Sequence, residues 1–445
     1  MEGANDAMLD MKFIRANVEF IQWVANHKKI DVNVRELIAL DDTRLALLPK
    51  VEELRSQRNQ ASAQIATWLQ SGQTEEAEIG KTRVRTINCA LAGLEEHLKH
   101  TMARLHEMML LVPNVVSPDT PVGESDADNV ELKQVGEIPA FDFAPCDHVA
   151  LAQNLGILDV GRAVKISGSR SYILKDAGFR LHRAVQQLAI DVLASRNFTL
   201  MEVPVFANTE AMVNTGYFPT GQDQTYHLLA DDQWLVGTSE VPLVSYFANE
   251  VVDVNQPLRL AAVSPCFRRE VGAAGRDVHG LYRVHQFAKV EQVVLCRNDV
   301  QTSLTIFDEI TRNAEDILQL LELPYRVVSV CTGDLSQKNY KQVDIETWMP
   351  SRQSYGETHS SSVLLDFQAR RSNIRYRDSR GRLRFCHTLN NTAIATPRIL
   401  IPLIENHQRA DGSIYIPKAL RQYMGDVEAI TPTGGIREEL RGQIP

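Results

Sequence analysis

The sequence predicts an α+β fold: an antiparallel β-sheet core flanked by helices, preceded by an N-terminal antiparallel two-helix coiled-coil arm. Three observations point there. Apolar residues recur at spacings of 3 and 4 between Leu47 and Met108, on both sides of a Ser71-Gly72-Gln73 reversal. Later β-like segments are joined by loops. Helices come in separate runs, with no repeating β-α-β rhythm.

The chain has 445 residues, 44% hydrophobic and 23% charged, enough for one large core and a second module. Its formal charge of −9 argues against nonspecific coating of a polyanion, so any nucleic acid must be held by a local basic patch. Cys89, Cys146, Cys266, Cys296, Cys331 and Cys386 form no C-x-x-C pair, which fits neither a disulfide framework nor a thiolate zinc site. His285, His359, His387 and His407 have no metal spacing either, so no zinc is expected. No apolar run reaches the roughly 18 residues of a membrane span, and Glu2 and Asp6 spoil a signal or transit peptide. A soluble cytoplasmic protein with no membrane partner is expected.

In the arm, Leu47, Val51, Leu54, Ala61, Ile65 and Trp68 mark the outgoing seam, with Arg58 as an exception. Val84, Ile87, Leu91, Leu94, Leu98, Leu105 and Met108 mark the return. Limbs of about 30 residues at about 1.5 Å each give about 45 Å. Pro49 is expected to start or kink the first limb. Two helices packed on a globular core is the competing reading, but only a narrow seam is apolar and the other faces are polar. Lys81, Arg83 and Arg85 cluster just past the reversal, where they are either phosphate contacts or a solvated helix face.

The expected division is an N-terminal domain over 1–112, a linker over 113–145 rich in Pro, Asp, Ser and Gly, a sheet domain over 146–425, and a tail over 426–445. Within the sheet domain an amphipathic helix is predicted over Ala177 to Ser195. Strands are predicted over Phe198 to Phe206 (interrupted by Pro204), Leu258 to Val263, Leu281 to Phe287, Val290 to Leu295, Tyr325 to Val330, Ser362 to Phe367 and Ile374 to Tyr376. Further helices are predicted over Leu304 to Leu321 and Arg398 to His407.

There is no G-x-x-x-x-G-K-[ST], no G-x-G-x-x-G after a strand, no H-E-x-x-H and no G-x-S-x-G. What remains is CFRREVGAAGRDVHGLYRVHQF, with a cationic start, a run of small residues and an aromatic end. Arg268 and Glu270 sit two apart, so on a strand both would face one side. There a guanidinium can take a phosphate or carboxylate bidentately and a carboxylate can accept from an amine.

FRRE, GAAGRDVHG and LYRVHQFAKVEQ together resemble motif 2 of the class II aminoacyl-tRNA synthetases in the form used by the seryl-tRNA synthetase family. HTLNNTAIATPRILIPLIENHQ resembles motif 3, and the helix with the Pro204 strand resembles motif 1. The similarity runs from about Met8 to about Gly425 and includes the long arm. It implies a class II synthetase fold with an antiparallel catalytic core, a homodimer formed through motif 1, and an arm that grips tRNA(Ser). The implied chemistry is ATP-dependent activation of L-serine to seryl-adenylate, then transfer to the 3′ end of tRNA.

The resemblance also implies roles. Arg268 would bridge the α-phosphate and the serine carboxylate, Glu270 would accept from the adenine amine, and Phe287 would stack on the ring. Arg269, Arg283 and Val284 would lie beside the nucleotide, Arg398 would hold the far phosphates, and Arg268, Glu270 and Arg398 would carry catalysis. Glu357, Thr358, His359 and Ser360 would line the ATP site, with Glu357 and Ser360 as hard oxygen ligands for Mg2+. Serine would meet Thr238, Ser239, Glu240, Arg268, Glu291, Asn390 and Thr392. Taken singly, each residue also has a structural reading: Arg268 in a core ion pair, Phe287 as packing, Glu357 as a helix cap, Thr238 in a turn.

Arg269 stands where relatives commonly carry a small serine, and His279 where they carry an arginine. Val271, Ala273 and Ala274 also change the polarity of that loop. Losing a permanent charge at position 279 would weaken tRNA docking without touching ATP or serine. Two alternatives therefore stand beside a working ligase. One is a specialised paralogue that activates serine for a biosynthetic pathway or confers inhibitor resistance. The other is a non-catalytic tRNA-binding relative.

Overall fold

The computed structural model describes residues 9–272 and 280–432. They fall into two compact units divided between Pro113 and Asn114. In the N-terminal unit, helices α1 (Met11–Ala16) and α2 (Val18–His27) precede two long helices, α3 (Val34–Gln70) and α4 (Thr74–Leu111). Asn33 caps α3, its side chain accepting from the amides of Arg35 and Glu36. The chain reverses at Ser71-Gly72-Gln73, where Gly72 adopts φ +77°, a value that favours glycine.

The long helices pack on each other along the predicted seam. Leu47, Val51, Ala61, Ile87, Leu91 and Leu105 are buried, and Arg55 reaches across to Glu95 at 2.6 Å. Two features depart from expectation. α3 begins at Val34 and runs through Pro49, so the proline does not start the limb. Gly80 also belongs to the seam: a Cβ there would meet Ile65 Cγ1 at 2.6 Å and Trp68 Cζ3 at 3.0 Å, so the helices approach closely at this point.

The second unit is built on an eight-stranded sheet. Its strands are β1 (Val130–Val135), β2 (Thr199–Met201), β3 (Leu258–Phe267), β4 (Gln286–Cys296), β5 (Tyr325–Ser329), β6 (Lys341–Met349), β7 (Ser354–Leu365) and β8 (His387–Thr396). Their spatial order is β1-β5-β6-β7-β8-β4-β3-β2. Every pairing is antiparallel except β2 with β3.

Helices α5 (His148–Asn154), α6 (Asp176–Ser195), α7 (Val300–Leu320) and α8 (Leu400–Asn406) accompany the sheet. Leu181, Val185 and Leu188 of α6 and Ile306, Ile310 and Ile317 of α7 join Val290, Val294 and Leu389 of the sheet in one core. The two-residue alternation of β4 sends Val290 and Val294 into that core and Phe287, Lys289 and Glu291 to the opposite face, where a cavity lies.

Several predicted boundaries are corrected. The stretch read as linker over 113–145 contains β1, which pairs with β5, and Asn114 donates to the carbonyls of Lys338 and Leu364. The strand predicted across Phe198 to Phe206 breaks at Pro204: Thr199–Met201 joins the large sheet, whereas Phe206–Asn208 joins a separate three-stranded sheet with His227–Leu228 and Gln233–Leu235. Leu281 to His285 lies outside any strand, and β4 begins at Gln286. Phe367 opens a short helix, Phe367–Arg371. Strands β6 and β8 are additional to those predicted.

Candidate active site

A cavity of about 730 Å3 opens on the face of the sheet away from α6 and α7. Strand β3 ends at Phe267, and Arg268 and Glu270 follow it into the cavity. They do so without strand geometry, because Glu270 adopts φ +53°. That left-handed residue turns the carboxylate toward Arg283, 3.4 Å away. The Arg268 amide donates to the His285 carbonyl and ties the two limbs of the motif together. Its guanidinium lies over the Phe287 ring.

Opposite, Arg398 Nε donates to the Tyr282 carbonyl at 3.1 Å, and its Nη1 donates to the Glu357 carbonyl and pairs with the Glu357 carboxylate at 3.5 Å. The guanidinium stacks on the Tyr282 ring, 4.4 Å from its centroid. Val284 completes this part of the lining with Thr358, His359 and Ser360 of β7. Thr358 Oγ1 bonds Thr347 at 2.7 Å and pairs with His359 Nδ1 at 2.8 Å. Burial pushes the His359 pKa down to about 3, so the ring is neutral at pH 7. Behind Ser360, burial and then the Glu357 charge push the Asp344 carboxyl well above its ordinary range.

The other end of the cavity holds two buried ion pairs. Lys289 Nζ meets Glu291 at 2.7 Å, and Thr392 Oγ1 reaches the same carboxylate at 3.4 Å. Burial nonetheless raises the Glu291 pKa above its ordinary value, against the pull of Lys289. Lys338 Nζ meets both oxygens of Glu240, at 2.7 and 2.8 Å. Burial alone would raise the Glu240 pKa, but Lys338, Tyr217 and Gln368 outweigh it and hold the carboxyl below its ordinary value. Asn390 and Thr392 of β8 face this end. Asn391 between them points the other way, donating to Ser361 Oγ and accepting from Gln292.

Arg268, Glu270, Arg283, Val284, Phe287, Glu357, Thr358, His359, Ser360, Arg398, Glu240, Glu291, Asn390 and Thr392 thus line one cavity. Three predicted residues lie elsewhere. Arg269 turns into a neighbouring cavity beside Tyr226 and His227 and donates to the Asp223 carbonyl, because successive residues leave the end of β3 on opposite sides. Thr238 and Ser239 are buried behind the wall, Ser239 bonding Ser264 at 2.6 Å and Thr238 Oγ1 accepting from the Glu240 amide. His279, Ala273 and Ala274 lie outside the described residues, as does the tail from Thr433. Sequence reasoning missed Tyr217, Tyr282, Lys289 and Lys338. Only Lys289 carried a local signal, its place two residues before Glu291 on the same strand face.

Glu357 and Ser360 give a carboxylate and a hydroxyl on one wall, hard donors that fit a magnesium ion sharing its shell with phosphate and water. Among the described residues no three His, Cys, Asp or Glu side chains converge to hold a metal by themselves. Nor is any described helix long and apolar enough to cross a membrane.

Residues 8–116 match the seryl-tRNA synthetase N-terminal domain, and residues 227–407 match the tRNA synthetase class II core domain (G, H, P, S and T). The serine–tRNA ligase of Deinococcus radiodurans is 44% identical over 424 residues, spanning 95% of this chain and 99% of the relative. The crystal structure of seryl-tRNA synthetase from Pyrococcus horikoshii complexed with ATP superposes with a TM-score of 0.86 at 36% identity, covering 96% of this chain and all of that one. The cytoplasmic serine–tRNA ligase from Naegleria fowleri in complex with AMP gives 0.81 at 29% identity, covering 95% and 99%. With its arm, its antiparallel sheet and its cavity matched along nearly the whole length, this chain belongs to the seryl-tRNA synthetase family of class II aminoacyl-tRNA synthetases.

Proposed function

We infer that the chain is a serine–tRNA ligase that activates L-serine with ATP in this cavity and passes the seryl group to tRNA(Ser). The observation that carries the reading is the place of Arg268, an exposed guanidinium over an aromatic ring in the cavity that two buried carboxylates, Glu240 and Glu291, also line. In the first step the serine carboxylate attacks the α-phosphorus of ATP, a P–O bond forms, and pyrophosphate leaves. Arg268 neutralises two anions that otherwise repel each other, and Arg398 takes charge on the leaving phosphates. In the second step the terminal ribose hydroxyl of tRNA attacks the seryl carbonyl, and AMP leaves.

The adenine ring stacks on Phe287, with Glu270 as acceptor for its amine and Arg283 and the Val284 backbone alongside. Glu291 takes the serine ammonium, and Asn390 and Thr392 lie near the hydroxyl. Glu357 and Ser360 would hold Mg2+, which supplies charge neutralisation on the phosphate oxygens when bound.

Lys81, Arg83 and Arg85 on α4 supply phosphate contacts for tRNA, the active species is a homodimer, and the protein works in the cytoplasm. Serine-dependent ATP–pyrophosphate exchange followed by charging of purified tRNA(Ser) tests the assignment. Exchange without charging identifies a specialised paralogue, and the absence of exchange identifies a non-catalytic relative. Deleting residues 50–107 should spare exchange and abolish charging, and light scattering on the full chain tests the dimer.

A further inference from the structure

The Glu240 carboxylate is saturated. Oε1 accepts from Lys338 Nζ at 2.7 Å and from Gln368 Nε2 at 2.6 Å, and Oε2 accepts from Lys338 Nζ at 2.8 Å and from the Tyr217 hydroxyl at 2.6 Å. Two carboxylate oxygens offer about four acceptor sites, so no capacity remains for a substrate ammonium. The Glu240 carboxyl is held below its ordinary pKa and is the anion; Lys338, whose Nζ lies 2.7 and 2.8 Å from its two oxygens, is the ammonium counterion of a buried ion pair.

Lys338 itself lines the cavity while only 8% exposed, its Nζ 4.0 Å above the Tyr217 ring. Two of its three donors are spent on Glu240. Ser336, Asn339, Ser362 and Asn390 line the cavity with it, so a small polar group brought there meets hydrogen-bonding partners rather than an apolar wall. Glu291 is neutralised separately by Lys289. Burying two ion pairs is a poor device for stability, since well-packed apolar residues of the same volume commonly do as well or better.

On the reading that the cavity takes L-serine, we propose that Lys338 is a specificity-determining residue: its third N–H donates to the side-chain oxygen of the amino acid, and Glu240 is a positioning residue that holds the ammonium in place. The site then accepts amino acids carrying an acceptor oxygen one carbon from Cα. It rejects alanine because the Lys338 donor would be left buried without a partner.

The test compares serine and alanine in ATP–pyrophosphate exchange for the unmodified chain, Lys338→Gln, Lys338→Met and the double variant Lys338→Met/Glu240→Gln. The double variant removes both charges together, so no unpaired carboxylate is left to unfold the protein, and a thermal melt checks that it folds. The serine-to-alanine ratio of kcat/KM is expected to fall by about 100-fold or more in Lys338→Met and in the double variant. Lys338→Gln, which keeps a donor, should regain part of it, and the KM for ATP should stay within about threefold throughout. An unchanged ratio in the folded double variant overturns the proposal, as does an equal loss with ATP and both amino acids, which marks a purely structural pair. No serine-dependent exchange in the unmodified chain is a different result, the failure of the serine reading itself.

Discussion

The guanidinium carbon of Arg268 stands 5.2 Å from the centroid of the Phe287 ring. Among the described residues the side chain is otherwise anchored by a single bond, from Nη2 to the Gly237 carbonyl at 3.4 Å. The cation therefore rests on the ring face proposed above for adenine. Arg268→Lys keeps the charge but loses the bidentate fork, and the kcat of serine-dependent exchange is expected to drop by about 100-fold or more. Phe287→Leu should instead raise the KM for ATP by roughly 2- to 10-fold, the worth of one ring contact. Equal effects of the two variants on kcat would contradict this division.

Arg269 makes the complementary prediction. Its side chain faces the neighbouring cavity and holds the Asp223 carbonyl at 3.1 Å. Arg269→Ser should leave both KM values and the kcat of exchange within about twofold, as for a surface change away from the chemistry. A large rise in the KM for ATP would return Arg269 to the nucleotide.

With Glu291 as the proposed acceptor of the serine ammonium, its ionisation should set the acid limb of activation. Burial raises its pKa above the ordinary carboxylate value, and only the ionised form accepts the serine ammonium. As pH falls the carboxylate is protonated first in the free enzyme, so kcat/KM for serine should decline at a pH above the ordinary carboxylate range. A pH profile over the folded range measures it. Glu291→Gln should lower kcat/KM at every pH and erase that limb.

Glu405 ties α8, through His148, to the Leu281 to Arg283 run. Its buried carboxylate accepts from the His148 amide and Nδ1 at 3.0 and 2.8 Å, and from the Ser351 amide and hydroxyl at 2.9 and 2.8 Å. His148 Nε2 accepts from the Leu281 amide at 3.2 Å, which puts the ring proton on Nδ1 and fixes the start of the Leu281 to Arg283 run. Burial alone would raise the Glu405 pKa, but His148 and Ser351 outweigh it and hold the carboxyl below its ordinary value. Its contribution to stability is therefore present above the unfolded carboxylate pKa and lost as pH falls through the folded one. Glu405→Gln should cost about 2–4 kcal/mol by chemical denaturation near neutral pH. The gap to the unmodified chain should narrow on acidification, and the KM for ATP should rise.

Gly80 marks a close approach of α3 and α4. Any larger side chain presses on Ile65 and Trp68 of the facing helix. Gly80→Leu should cost about 1–3 kcal/mol by overpacking and raise the KM for tRNA(Ser) by roughly tenfold while exchange stays unchanged, if α3 and α4 grip tRNA. Equal loss of exchange would show that the arm does more than bind tRNA.

The arm was legible because a seam repeating at 3 and 4 survives any context, and Ser71-Gly72-Gln73 marks its reversal. Pro49 misled as a start of the limb because α3 is already capped at Asn33 and packing on its neighbour carries the helix through the proline. Strand β8 was hidden by its polar sequence: Asn390 and Thr392 serve the cavity and Asn391 bonds Gln292 and Ser361 beneath the sheet, so the alternation apolar against polar is absent. Strand β1 was hidden because an edge strand is exposed nearly all along, as Val130–Val135 is. Lys338 was invisible for a different reason. A buried ammonium is recognisable only beside its counterion, and Glu240 lies far away in the chain.

The pairing of β1 with β5 has a consequence for how the protein is made. Val130 finds its partner only at Ser329, so most of the second unit must leave the ribosome before the outermost rung of the ladder can close. At about 5–20 residues per second, the early strand waits on the order of ten seconds or longer with its amides unmatched. Nascent chains stalled before Tyr325 should therefore be cut by protease within Val130–Val135, and chains extended beyond Ser329 should become resistant there.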